Sequence, residues 1–115
     1  MSTQVGHIDR DELWRKIQAS DDFVLVDALA PIAFARTRLP GAVNLTTDWV
    51  DSRAERWIPD QATEVVVYCS DEDCDSSVIV ARRLLQRGYT NVRHYPGGKR
   101  DWIAAGLPLE GSGAG

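Results

Sequence analysis

Apolar residues along the chain fall into short unbroken runs that alternate with stretches of helical spacing. Phe23-Val24-Leu25-Val26 and Val65-Val66-Val67-Tyr68 are the plainest runs; the first closes on Asp27 and the second on Cys69. Continuous apolarity over so few residues suits strands buried on both faces of a sheet. Ala42-Val43-Asn44-Leu45 and the stretch from Asn91 to Tyr95 read as two shorter strands. Between the runs, Asp9-x-x-Glu12 offers a capping-box-like helix start with Ile8 before it as a staple. Leu13, Trp14 and Ile17 then share one helical face. Pro31 suits the first turn of a short helix through Ala35. Trp49, Val50, Arg53 and Trp57 recur at helical spacing until Pro59-Asp60 ends the segment. Ser76 to Arg87 predicts a helix whose apolar face is Val78, Ala81, Leu84 and Leu85, widened by Ile79 and Val80, with Gly88 as its stop. Pro96-Gly97-Gly98 reads as a turn, and a last short helix carries Trp102 and Ile103 and closes at Gly106. Strands alternating with helices predict an α/β fold, a parallel sheet covered by helices on both faces. Ligands of such sheets bind outside the carboxyl ends of the strands, and Cys69 stands at one such end.

Composition narrows the function classes. A chain of 115 residues is one domain's worth, and two cysteines are too few for a disulfide scaffold. No apolar run approaches the roughly 20 residues of a membrane helix, so no membrane partner is expected. The start Met1-Ser2-Thr3-Gln4-Val5-Gly6-His7 has neither a basic nor an apolar signal region, which makes a cytoplasmic, reducing setting the default. Lysine and arginine number 13 and acids 17, a formal charge of −4. Four of the acids, Asp71, Glu72, Asp73 and Asp75, crowd into one short stretch. With a pI near 5.0 and no basic footprint, nucleic acid is not an expected partner. The tail Gly111-Ser112-Gly113-Ala114-Gly115 reads as mobile, and the first few residues as loose. Trp14, Trp49, Trp57 and Trp102 sit on amphipathic segments and are expected to pack in the core. His94 lies in a strand and is expected to be a satisfied structural histidine. It shares no ligand spacing with His7 or the cysteines, so no metal site is expected.

The stretch from Cys69 to Ser77 carries the candidate chemistry: an apolar strand ends in a cysteine, a polar loop turns, and a helix begins. If the loop curls back, its N–H groups and the helix N-terminus lower the thiol pKa and hold an anion beside it. Cys69 is then a nucleophile by position. On these residues alone the other reading, a strand's last core residue, stays open, since free cysteines are often buried.

Five motifs in order resemble the single-domain rhodanese family from about Asp9 to Glu110. Phe23-Val24-Leu25-Val26-Asp27 is similar to that family's first strand ending in aspartate. Leu39-Pro40-Gly41-Ala42-Val43-Asn44 resembles its turn and strand, and Val66-Val67-Tyr68-Cys69 its strand into the reactive cysteine. Ala81-Arg82-Arg83-Leu84-Leu85 with Gly88-Tyr89-Thr90-Asn91-Val92 resembles its helix and last strand. Gly97-Gly98-Lys99-Arg100-Asp101-Trp102 and Gly106-Leu107-Pro108 resemble its close. The resemblance implies a single domain, with a core of about residues 9–110, built on a mostly parallel five-stranded sheet flanked by helices on both faces. It also implies a sulfurtransferase. Cys69 thiolate takes the outer sulfur of a donor such as thiosulfate or a persulfide, and the Cys69 persulfide passes it to a thiol or cyanide acceptor. The donor would bind within the loop Ser70, Asp71, Glu72, Asp73, Cys74, Asp75 and Ser76. No cofactor is implied.

Departures from the family pattern sharpen these expectations. Many rhodanese loops carry a cation for an anionic donor; this one carries four acids instead. Like charge raises a thiol pKa and repels a dianion, so a protein persulfide or a low-charge donor is expected to serve better than thiosulfate. Asp73 and Asp75 also stand where acids cap a helix. Ala28 follows Asp27 where the family often has a short D-x-R, and Arg38 replaces the histidine before the Leu39-Pro40-Gly41 turn. The related phosphatase branch needs Cys-x5-Arg, and Asp75 occupies that arginine position, so phosphatase activity is not expected. Cys74, at Cys69-x4-Cys74, is a candidate resolving thiol for the persulfide; the alternative is a packing cysteine with no role. The competing functional class is a non-catalytic module of the same fold, docking a basic partner through the acidic loop.

Overall fold

The two apolar runs become the middle of a sheet because neither has a polar face to offer solvent. A computed structural model describes residues 5–114. Its strands are β1 (Gly6–His7), β2 (Phe23–Asp27), β3 (Val43–Asn44), β4 (Glu64–Tyr68) and β5 (Val92–Tyr95). They form one sheet in the order β1-β5-β4-β2-β3, and every pairing is parallel. The five-stranded α/β sheet implied by the family resemblance is therefore present. The strands β2 and β4 sit inside it in the register Val26↔Val67 and Asp27↔Tyr68, and Tyr68 is also paired with Tyr95.

Helices α1 (Arg10–Gln18), α2 (Pro31–Arg36), α3 (Val50–Trp57), α4 (Ser76–Gln86) and α5 (Gly98–Ala104) cover the sheet. Alternate residues of β4 face opposite layers, as the two-residue strand period requires. Val65 and Val67 pack with Ala54, Val80, Ala81 and Leu84 under α3 and α4. Val66 and Tyr68 pack with Leu13 and Trp102 under α1 and α5. The Asp9 carboxylate caps α1 by accepting from the Glu12 amide at 2.8 Å, and Pro31 opens α2.

Several expectations need correction. Strand β1 has no apolar run of its own; it exists because its two exposed residues pair with Arg93 and His94 at the sheet edge. Residues 1–4, read as loose, lie outside the described residues, as does Gly115. The tail before Gly115, read as mobile, is held: Ser112 and Gly113 donate to the Ala35 and Arg36 carbonyls at 3.0 and 2.7 Å. Ser77, not Val78, joins Val80, Ala81 and Leu84 on the buried face of α4, while Ile79 points largely outward. Trp102 is fully buried and Trp14 packs edge-on against it, but Trp57 is 45% exposed. Trp49 instead lies half-buried under the Arg53 guanidinium, 3.9 Å from the ring centroid.

Candidate functional site

Cys69 follows directly on the central strand β4, so it emerges at the carboxyl edge of the sheet between the ends of β2 and β5. Its backbone is fixed from two sides. The Ala28 amide after β2 donates to the Tyr68 carbonyl at 3.0 Å. The first amides of α5 reach across as well: Lys99 donates to the Cys69 carbonyl at 3.0 Å and Arg100 to the Ser70 carbonyl at 2.8 Å. This approach depends on Gly98, whose φ of +65° is a left-handed conformation. A Cβ there would stand 2.6 Å from the Cys69 carbonyl oxygen.

Beneath the site, Asp27 and Tyr68 are buried together. The Tyr68 hydroxyl donates to Asp27 Oδ2 at 2.7 Å and accepts from the Leu39 amide at 3.0 Å. The Leu29 amide donates to Asp27 Oδ1 at 2.8 Å. Burial pushes the Asp27 carboxyl up, against the pull of the Tyr68 hydroxyl and the Leu29 amide. Every polar atom of this cluster has a partner, which is what a buried polar group requires. Its effect is to tie the end of β2, the end of β4 and the Leu39-Pro40-Gly41 turn into one rigid floor.

The loop after Cys69 folds on itself around Asp71. The Asp73 amide donates to Asp71 Oδ1 at 3.0 Å, and the Cys74 amide to the Asp71 carbonyl at 3.3 Å. These two amides are thus used inside the loop. The amides of Ser70, Asp71, Glu72, Asp75 and Ser76 donate to no protein acceptor among the described residues. Asp75 stands at the N-cap position of α4 but forms no capping hydrogen bond, so the expected capping role of Asp73 and Asp75 is not what the loop uses its acids for. Glu72, Asp73 and Asp75 are exposed and Asp71 half-buried. The turn carries Cys74 back over Cys69, and the two are joined as a disulfide with Cα atoms 6.2 Å apart. Cys69 is buried at 1% exposure and Cys74 half-buried, and no free cysteine remains among the described residues.

A cation that the loop itself lacks arrives from α5. Arg100 lines a hollow of about 340 Å³ together with Asp71, Glu72 and Asp73. Lys99 is buried, with its ammonium donating to the Ala33 carbonyl at 3.4 Å; burial pushes its pKa down while Asp27 draws it up. Neither residue was singled out as part of the site from the sequence. The available signal was their place directly after Gly97-Gly98, because a helix following β5 must begin at the same sheet edge that Cys69 occupies.

On the other side, Ser77 and His94 share a hydrogen bond of 2.8 Å under the start of α4, with His7 edge-on to His94. The histidine is a satisfied one, as expected. Burial first, and His7 second, hold the His94 imidazole below its ordinary pKa. The unfolded chain then takes up a proton at a pH where the folded protein does not. Stability is therefore expected to fall as pH drops below about 6.5. Urea midpoints compared at about pH 7.5 and 5.5 should show this loss, and His94→Gln should flatten it. An unchanged profile in that variant would show that another group controls this window.

With this geometry in view, comparison with known proteins gives a consistent result. The family of rhodanese-like domains matches residues 9–105, and the chain belongs to it. A sulfurtransferase of Allochromatium vinosum is 30% identical over 105 residues, which is 91% of this chain and 94% of that protein. The thiosulfate sulfurtransferase GlpE of Actinobacillus succinogenes is 32% identical over 103 residues, 90% of this chain and 88% of that one. A solved structure from Bacillus halodurans superposes with a TM-score of 0.88 at 18% identity, covering 95% of this chain and 79% of its own; at that identity it speaks to the fold alone.

Proposed function

We propose that the protein is a sulfurtransferase that carries sulfane sulfur on Cys69. The observation that supports this reading most is the position of that residue. It leaves the central strand at the carboxyl edge of the sheet, next to the first turn of α4 and to a loop with five amides that have no protein acceptor among the described residues. Amide dipoles there favour a thiolate and then a persulfide anion over their protonated forms. Transfer starts from the reduced pair. The Cys69 thiolate attacks the outer sulfur of the donor, the S–S bond of the donor breaks, and the rest of the donor departs as an anion, sulfite in the case of thiosulfate. An acceptor thiol or cyanide then takes the outer sulfur and returns the Cys69 thiolate. The chain's own residues suffice for these steps. A reducing compartment, the cytoplasm in our reading, keeps the pair open. No helix of the described residues is long and apolar enough to cross a membrane.

The rim of the site bears on the donor. Asp71, Glu72, Asp73 and Asp101 line the hollow with a single arginine, Arg100, and Asp75 is exposed on the same loop. A dianion meets net repulsion there, only part of which solvent and salt screen. Turnover with a small persulfide or a persulfide-bearing protein is therefore expected to exceed turnover with thiosulfate at equal concentration. Raising the salt should narrow the gap. A clear preference for thiosulfate would refute the role given to these acids. If no donor of either kind leaves sulfur on the protein, the transferase reading fails and the chain is better described as a docking module for a basic partner.

A further inference from the structure

We propose that Cys74 is a second reactive thiol that resolves the Cys69 persulfide, releasing hydrosulfide and leaving the Cys69–Cys74 disulfide, which a dithiol reductant then reopens. The proposal rests on the sulfurtransferase reading above and specifies its acceptor. Three features of the loop support it. The turn around Asp71 places Cys74 on Cys69, and their Cα separation of 6.2 Å lies within the range a disulfide spans without backbone rearrangement. Cys69 is held by the α5 amides on its own carbonyl and that of Ser70, whereas Cys74 sits on the self-folded part of the loop, before α4 begins. Cys74 is also the more accessible partner, half-buried where Cys69 is covered. An incoming thiolate therefore meets the Cys74 sulfur first, as thiol–disulfide exchange requires access to one sulfur of the bond.

The step balances within the loop. The Cys74 thiolate attacks the inner sulfur, Cys69 Sγ. The Cys69 Sγ–Sγ bond to Cys74 forms, and the bond from Cys69 Sγ to the outer sulfur breaks. The outer sulfur leaves with the electron pair as hydrosulfide. The sulfane sulfur is reduced by two electrons, and the two thiols are oxidised to the disulfide. Reopening consumes one dithiol, which becomes a disulfide in turn. The protein would thus turn over as a dithiol-dependent persulfide reductase as well as a transferase.

The test uses the reduced protein, freed of reductant and kept anaerobic, exposed to one equivalent of glutathione persulfide and, separately, of thiosulfate. Hydrosulfide is assayed, and the intact mass of the protein is followed. In Cys74→Ser we expect a lasting gain of one sulfur atom and no hydrosulfide above the donor's own release. In the wild type we expect hydrosulfide in proportion to the protein, a product two hydrogens lighter than the dithiol form, and restoration of a second round by dithiothreitol. If the wild type keeps its added sulfur as long as Cys74→Ser does, the resolving role is overturned while the transferase reading stands; if the wild type's sulfur maps to Cys74 after alkylation, both are overturned, because Cys69 is then not the carrier. If Cys74→Ser gains no sulfur from either donor, the transferase reading itself is overturned and the resolving step with it.

Discussion

Replacing Cys69 by serine is expected to abolish sulfur transfer, with the rate falling to that of buffer alone. A hydroxyl cannot carry sulfane sulfur, and its far higher pKa keeps it protonated under conditions where a thiol ionises. The substitution also removes the bond to Cys74 and buries a hydroxyl at a site of 1% exposure. Cys69→Ala serves as a second variant, because it adds no polar group. Cys74→Ser separates loss of the disulfide from loss of the nucleophile, since it lacks the same bond but keeps Cys69. We expect both Cys69 variants to remain folded by circular dichroism and to be inactive, and Cys74→Ser to accept sulfur. Residual turnover in a folded Cys69→Ala protein would show that another group receives the donor sulfur.

Gly98→Ala is expected to cost about 2–4 kcal/mol, the sum of a left-handed backbone for a non-glycine residue and an overpacked contact. Its new Cβ would meet the Cys69 carbonyl oxygen at 2.6 Å, the Ser70 carbonyl carbon at 2.9 Å and the Asp71 amide nitrogen at 3.0 Å. All three are backbone atoms, so relief requires either α5 to withdraw or the start of the reactive loop to shift. Either movement breaks the hydrogen bonds from Lys99 and Arg100 that hold Cys69 and Ser70. A displacement of about 1 Å at a reacting group is enough for roughly a hundredfold loss of rate. The melting temperature should fall by roughly 10 °C for a chain of this size. Gly106→Ala is the matched control: its φ is +71°, but nothing lies within 4 Å of the added Cβ. It should show the conformational cost alone and keep full transfer once folded. If Gly98→Ala behaves like Gly106→Ala, the clasp between α5 and the loop does not position the thiol.

Local pattern reached some parts of this fold and not others. The runs at β2 and β4 were legible because a strand buried on both faces has to be apolar throughout. The start of α1 was legible because Asp9 caps it through its own neighbour, Glu12. Strand β1 was not, since its two exposed residues have no pattern and are extended only by pairing with β5. The buried face of α4 was read correctly at Val80, Ala81 and Leu84 and missed at its start, where Ser77 is buried in place of Val78. Val78 looked the better core residue than Ser77, but Ser77 finds His94 across the layer, and that partner lies 17 positions away. At the site, Cys69 was legible from its place at a strand end, and the Cys74 alternative from its spacing. The cation was not, because Arg100 reaches the loop only through the return of the chain after β5. The use of Asp71 for the loop turn, and not Asp75 for the helix cap, depends on the path the backbone takes to bring the two cysteines together.

The claim that Cys69 receives the donor's sulfur is tested most directly by locating that sulfur. Reduced Cys74→Ser protein, treated with glutathione persulfide, alkylated and cut into peptides, should show the added sulfur on the peptide containing Cys69 and on no other. Recovery of that peptide with an alkylated but unsulfurated cysteine, under conditions where the donor is consumed in a protein-dependent way, would contradict the account.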